Sequence, residues 1–153
     1  VAVLEIRKAG DKVLKEQAAP VARIDRRVKK LLDDMAETMY AANGVGLAAP
    51  QVGASLRAIV LDAGDGLLEL VNPVITAAEG CELGNEGCLS IPGMYGEVER
   101  CAKVTVEGLN RDGMKGVGEG EGCLARGLQH EIDHLNGVLF IERASSLYKG
   151  QKE

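Results

Sequence analysis

The segment QHEIDHLNG, residues 129–137, holds His130 and His134, the only two histidines of the chain, with Glu131 directly after the first. On a helix, positions i and i+4 share a face about one turn apart, so both imidazoles can reach one point. That is the HExxH arrangement, in which the histidines ligate a divalent transition ion and the glutamate moves protons. A catalytic ion of this kind takes three protein ligands and keeps one position for water. One ligand is therefore still to be found. The metzincin pattern would place a third histidine where this chain has Phe140, so that ligand set is excluded. Cys, Asp and Glu remain. Cys123 precedes His130 by seven residues, roughly 10 Å along a helix axis, too far to share the ion. Cys88, in EGCLS at 86–90, is a candidate from another segment. Its alternative fate is that of most free cysteines, a small buried hydrophobe.

The elements that must hold these residues can be read from periodicity. Leu124, Leu128, Ile132 and Leu135 form one apolar stripe, centred about 155° around the helix when His130 is set to zero and the histidine pair lies near about 20°. The spacing predicts a helix from about Gly122 to Asn136 that stops at Gly137. Gly127 falls on the histidine face, one turn before Glu131. A glycine inside a helix costs about 0.5–1 kcal/mol relative to alanine, so the space serves either a substrate side chain or close packing against a strand.

Residues 25–42, DRRVKKLLDDMAETMYAA, place Val28, Leu31, Leu32, Met35 and Met39 at helical spacing, with Asn43-Gly44 as a stop. This predicts a second amphipathic helix nearer the N-terminus. Segments 57–63, 68–77 and 98–110 are rich in branched residues and read as antiparallel strands, with a weak, glycine-rich strand at 114–122. The pattern is α+β: a central metal-binding helix, antiparallel β-sheets and the second helix. GVGLAAPQ at 44–51 satisfies GxGxxA, but a dinucleotide fingerprint needs a strand before it and a helix after it. Here a helix precedes and Pro50 follows, so glycines that let backbone approach an extended peptide fit better.

Hydrophobic residues make up 46% of the chain and charged residues 27%, an ordinary globular balance that excludes intrinsic disorder. The expectation is one catalytic domain over residues 1–153. A net charge of -5 speaks against specific nucleic-acid binding through a general basic surface. No apolar run reaches bilayer length, and charges interrupt VAVLEIRKAGDKVLK too early for a signal peptide, so a soluble cytoplasmic protein with no membrane partner is expected. The four cysteines are expected to stay reduced there.

Taken together, GVGLAAPQ, EGCLS and QHEIDH resemble the three signature motifs of peptide deformylases, in that family's order and at compatible separations. The resemblance runs from the N-terminal extended segment through VLFIERAS. It implies removal of the formyl group from nascent chains that begin with formyl-methionine, and a central motif-bearing helix among antiparallel sheets. Matched by motif, it implies Cys88, His130 and His134 as metal ligands and Glu131 as catalytic acid and base. It also implies that the Gln51 amide and the Leu89 N–H donate to the formyl oxygen, and that Val45 and Gly46 hydrogen-bond the substrate main chain. Glu86 and Gly87, with Gly127 from the helix argument, are expected along the substrate site. One divalent ion per chain is implied, ferrous iron natively, with zinc, nickel or cobalt accepted.

Two departures qualify the resemblance. Tyr95 stands where many members have an arginine, which predicts different docking of the peptide beyond methionine. The ribosome is a further partner that some members reach through a long C-terminal helix, and KGQKE leaves little room for one. Two rival readings remain. A metallopeptidase would cut internal bonds, but nothing in the chain supplies its usual downstream ligand, since Glu142 is close after the motif. A structural metal domain would close the site with a fourth ligand, for which Cys81 is the candidate.

Overall fold

The computed structural model describes residues 1–150. Helix α1, Arg26–Ala41, opens with the Asp25 carboxylate accepting from Val28 N–H at 3.1 Å. It ends where Asn43 turns to φ 56°. Its buried face is Val28, Leu32, Met35 and Met39. Helix α2, Gly122–Leu135, runs through both histidines, and Gly137 at φ 75° ends it in the left-handed conformation that glycine tolerates. Arg57 reaches its last turn, donating to the Leu135 carbonyl at 3.0 Å and to Asn136 Oδ1 at 2.9 Å. Both helices lie where the periodicity placed them.

Eight strands follow in chain order: β1 Gly46–Ala48, β2 Ala58–Leu61, β3 Leu68–Glu79, β4 Glu82–Cys88, β5 Ile91–Arg100, β6 Lys103–Leu109, β7 Lys115–Glu121 and β8 Ser146–Lys149. They form two antiparallel sheets, ordered β1-β2-β3-β6-β7 and β4-β5-β8. Every residue of β2 is buried, because both sides of it are covered. Ile59 and Leu61 join Leu128, Ile132 and Leu135 of α2 in one cluster. Ala58 and Val60 join Leu32, Met35 and Met39 of α1 in another. A third cluster, Leu14, Ile91, Val98, Leu139 and Phe140, lies against the smaller sheet. The apolar stripe of α2 therefore meets the larger sheet, which leaves its histidine face for β4 and β5.

The segment expected as one strand over 98–110 is two, β5 and β6, in different sheets with a break at Cys101-Ala102. The pattern hides the break because its phase is unchanged across it: Val98, Arg100, Val104 and Val106 are all buried. Strands β1, β4 and β8 lie outside the expected set. β4 reads ELGNEGC, with polar residues and glycine where strands usually carry branched side chains. The weak glycine-rich strand is present as β7, an edge strand. Among the described residues no helix is long and apolar enough to cross a membrane.

Candidate active site

β4 ends at Cys88 and α2 carries His130 and His134, and the fold brings the three together with ligand atoms within 4.8 Å of one another. The Cys88 thiol lies 3.3 Å from His134 Nε2. His130 Nδ1 is 2.9 Å from a Glu86 carboxylate oxygen, which fixes Nδ1 as the protonated nitrogen and leaves Nε2 free to ligate. His134 Nδ1 is buried with no hydrogen-bond partner. Burial drives the His134 pKa well below its ordinary value, and the nearby Arg100 charge acts the same way, which favours the neutral ring that a ligand must be. One soft sulfur and two imidazole nitrogens make a donor set suited to a transition ion and poor for magnesium or calcium. These residues form a site for a single divalent metal ion, and they fit one.

Cys81 is exposed and Glu142 is engaged by the Leu139 N–H and Lys15, so neither belongs to this trio. Cys123 is likewise outside it.

Glu131 shares the α2 face with the histidines but is not grouped with them as a ligand. Burial pushes its pKa up to about 7. Its Oε1 is buried and unpartnered, and it stands on the wall of a cleft of about 680 Å³. A Cβ built on Gly46 would come 2.6 Å from Glu131 Oε2 and 2.9 Å from Leu61 Cδ2, so Gly46 is glycine because the carboxylate packs on its backbone. Gln51 sits in a 3₁₀ turn, Ala49–Val52, directly after β1. Its Oε1 accepts from Ala48 N–H at 3.0 Å, and its Nε2 donates to Ser90 Oγ at 3.0 Å, 3.6 Å from the Cys88 sulfur. The carbonyl end is thus anchored and the amide N–H₂ end aimed at the site. Leu89 follows Cys88 on the cleft wall.

The cleft runs between edge strand β1, through Val45 and Gly46, and edge strand β4, through Glu86 and Gly87, with Gly127 and Tyr95 also lining it. Edge strands offer free backbone groups to an extended peptide. The Val45 carbonyl already accepts from Asp62 N–H at 2.8 Å. A Cβ on Gly127 would meet Leu61 Cδ2 at 2.7 Å, so the glycine lets α2 pack closely on β2, and the residue also lines the cleft.

The Glu86 side chain is not free to meet a substrate. It is buried and accepts two hydrogen bonds from Arg100, both at 2.9 Å, and one from Arg126 at 2.7 Å, besides its contact with His130. Burial alone would raise its pKa; Arg100 and His130 reverse that and hold the carboxyl well below the ordinary range. Arg100 also donates to Asp133 at 2.6 Å, and Arg143 donates to the same carboxylate at 2.6 Å. This chain of charges locks α2 to β4 and β5. Sequence reasoning missed Arg100, Asp133 and Ser90. The available signal was parity, since Arg100 alternates with buried Val98, and Asp133 lies inside QHEIDH.

Two imidazoles and a thiol placed to hold one divalent ion, a buried carboxylate beside them and a cleft bordered by strand edges together define a metallohydrolase. The profile of the family described as Polypeptide deformylase matches residues 3–150. The peptide deformylase of Desulfitobacterium hafniense is 59% identical over 144 residues, covering 94% of this chain and 96% of that one. That of Carboxydothermus hydrogenoformans is 56% identical over 149 residues, covering 97% and 98%. The crystal structure of peptide deformylase from Thermotoga maritima superposes with TM-score 0.93 at 46% identity, over 95% of this chain and all of that one. A Synechococcus elongatus peptide deformylase in complex with actinonin gives TM-score 0.91 at 45% identity, over 94% and 79%. This chain belongs to the peptide deformylase family.

Proposed function

We propose that the chain is a metal-dependent peptide deformylase, working as one catalytic domain, that hydrolyses the formamide C–N bond of formyl-methionyl N-termini on nascent polypeptides. The observation that carries this is the buried carboxylate of Glu131 standing free beside the Cys88, His130 and His134 trio on the wall of a peptide-sized cleft. Cys88, His130 and His134 hold the ion, natively ferrous iron, with zinc, nickel or cobalt as substitutes. When bound, the ion acidifies water and polarises the formyl carbonyl.

Glu131 takes the proton of the attacking water at Oε1 and delivers it to the departing amine nitrogen, so that formate and a free amino terminus leave. Charge gathers on the formyl oxygen during attack, and the Gln51 Nε2–H and the Leu89 N–H stabilise it. Ser90 and Ala48 keep Gln51 in the orientation that makes this possible. The peptide lies along β1, using backbone groups of Val45 and Gly46, with Gly87 opposite. Gly127 leaves room for the methionine side chain. Glu86 acts on the substrate only indirectly, by orienting His130.

Glu131→Gln tests the assignment. The variant should keep its ion and lose at least about 100-fold in turnover of formyl-Met-Ala-Ser. His134→Ala should lose the ion itself. If Glu131→Gln lost metal as completely, its role would be that of a ligand.

A further inference from the structure

Two of the four cysteines, Cys81 and Cys101, lie at the seam where the chain passes between the sheets. The last pair of the β3–β6 ladder is Glu79 with Lys103, and the first pair of the β4–β5 ladder is Glu82 with Arg100. Between them each segment has two residues, in a short connection where Gly80 takes φ 74° and neither sheet's ladder continues. The flanking pairs bring Gly80 toward Ala102 and Cys81 toward Cys101. The first of these pairs is visible directly: a Cβ on Gly80 would lie 2.9 Å from the Ala102 Cβ. The second has support of its own, because Cys81 lies within electrostatic reach of both Glu99 and Cys101. The flanking pairs, directly opposed antiparallel residues, have Cα atoms about 4.5–5.5 Å apart, so two residues between them are close enough to meet the 4.4–6.8 Å span that a disulfide bridges.

We propose that Cys81 and Cys101 are a cross-strand dithiol that closes reversibly to a disulfide at the base of the β4–β5 hairpin. Both are free thiols, Cys81 exposed and Cys101 half-buried. The oxidant is a low-molecular-weight disulfide of the glutathione class. The exposed Cys81 thiolate attacks one sulfur of that disulfide, forming a mixed disulfide and releasing one small thiolate. The Cys101 thiolate then attacks the Cys81 sulfur, forming the internal bond and expelling the second small thiolate. Two protein thiols are oxidised, one small disulfide is reduced to two thiols, and the two protein-thiol protons pass to the released thiolates through solvent. Glu99 holds the Cys81 thiol above its ordinary pKa, which keeps the first step slow near neutrality and suits a pair that responds to oxidation without being permanently closed. The closed bond would span the hairpin that carries Cys88, Glu86 and Arg100. It would also lie next to α2, since Gln129 donates to the Cys101 carbonyl and accepts from its N–H, both at 2.9 Å.

The test uses the nickel-loaded protein, in which Cys88 is coordinated, in a Cys123→Ser background that removes the other exposed thiol. After incubation with glutathione disulfide and acid quenching, the remaining thiols are alkylated in denaturant and counted by intact mass. Closure predicts a fall from three alkylatable thiols to one, no retained glutathione, linked peptides containing Cys81 and Cys101, and reversal by dithiothreitol. Adding Cys101→Ser should leave glutathione attached at Cys81. Three surviving thiols, a stable glutathione adduct without the second substitution, or a linkage through Cys88 would overturn the proposal.

Discussion

At the scale of single residues, the site depends on what touches Glu131. Its Oε2 lies so close to the Gly46 backbone that an added methyl group must displace it or Leu61. Gly46→Ala should therefore lower kcat by about 10-fold or more while metal content stays at one ion per chain, since a misplacement near 1 Å costs on the order of 100-fold in well-oriented catalysis. Unchanged kcat would show that the carboxylate can move without consequence. Metal retention separates the cysteines. Cys88→Ser should lose most of the ion, because a hydroxyl is a poor substitute for thiolate, whereas Cys81→Ser should keep it. Equal loss from both would revive the closed structural site. The two histidines and Glu131 were legible in the sequence because spacing on a helix fixes geometry, whereas Cys88, on another segment, entered as a ligand only through the likeness of EGCLS to a family motif. Gln51 and Glu131 meet Cys88 only through tertiary folding, so their separations could come only from the structure.

At the scale of elements, α2 carries two unlike faces and the two sheets divide them. Leu128, Ile132 and Leu135 pack on β2, while His130 and Asp133 are tied to β4 and β5 through Glu86 and Arg100. Breaking a buried ion pair by removing one partner costs about 3–5 kcal/mol, because the other charge is left uncompensated. Glu86→Gln should lower stability by that order in denaturant titrations and weaken metal binding by about 10- to 100-fold through the loosened His130 ring. A variant with wild-type stability and metal affinity would reduce the network to surface decoration. The apolar stripe of α2 was readable because it repeats at helical period. The paired charges were not, since Arg100 and Glu86 are 14 residues apart and nothing in a strand pattern marks which polar side chain turns inward. The β5–β6 break was invisible for the opposite reason: alternation continued in phase through Cys101-Ala102.

At the scale of the whole molecule, two sheets and one helix line a cleft bounded by the edge strand β4 and the segment that enters edge strand β1. The cleft is lined by Val45, Gly46, Glu86 and Gly87 on its two sides, with the buried Glu131 and Cys88 and His130 of the metal trio on its wall. The most direct test is anaerobic purification, metal analysis, and simultaneous measurement of formate release and of internal cleavage on formyl-Met-Ala-Ser and on a longer unformylated peptide. The expected result is one divalent ion per chain, stoichiometric formate from the formylated peptide, and no new fragments from either. A metal-replete protein that releases no formate, or one that cuts internal bonds, would contradict the account.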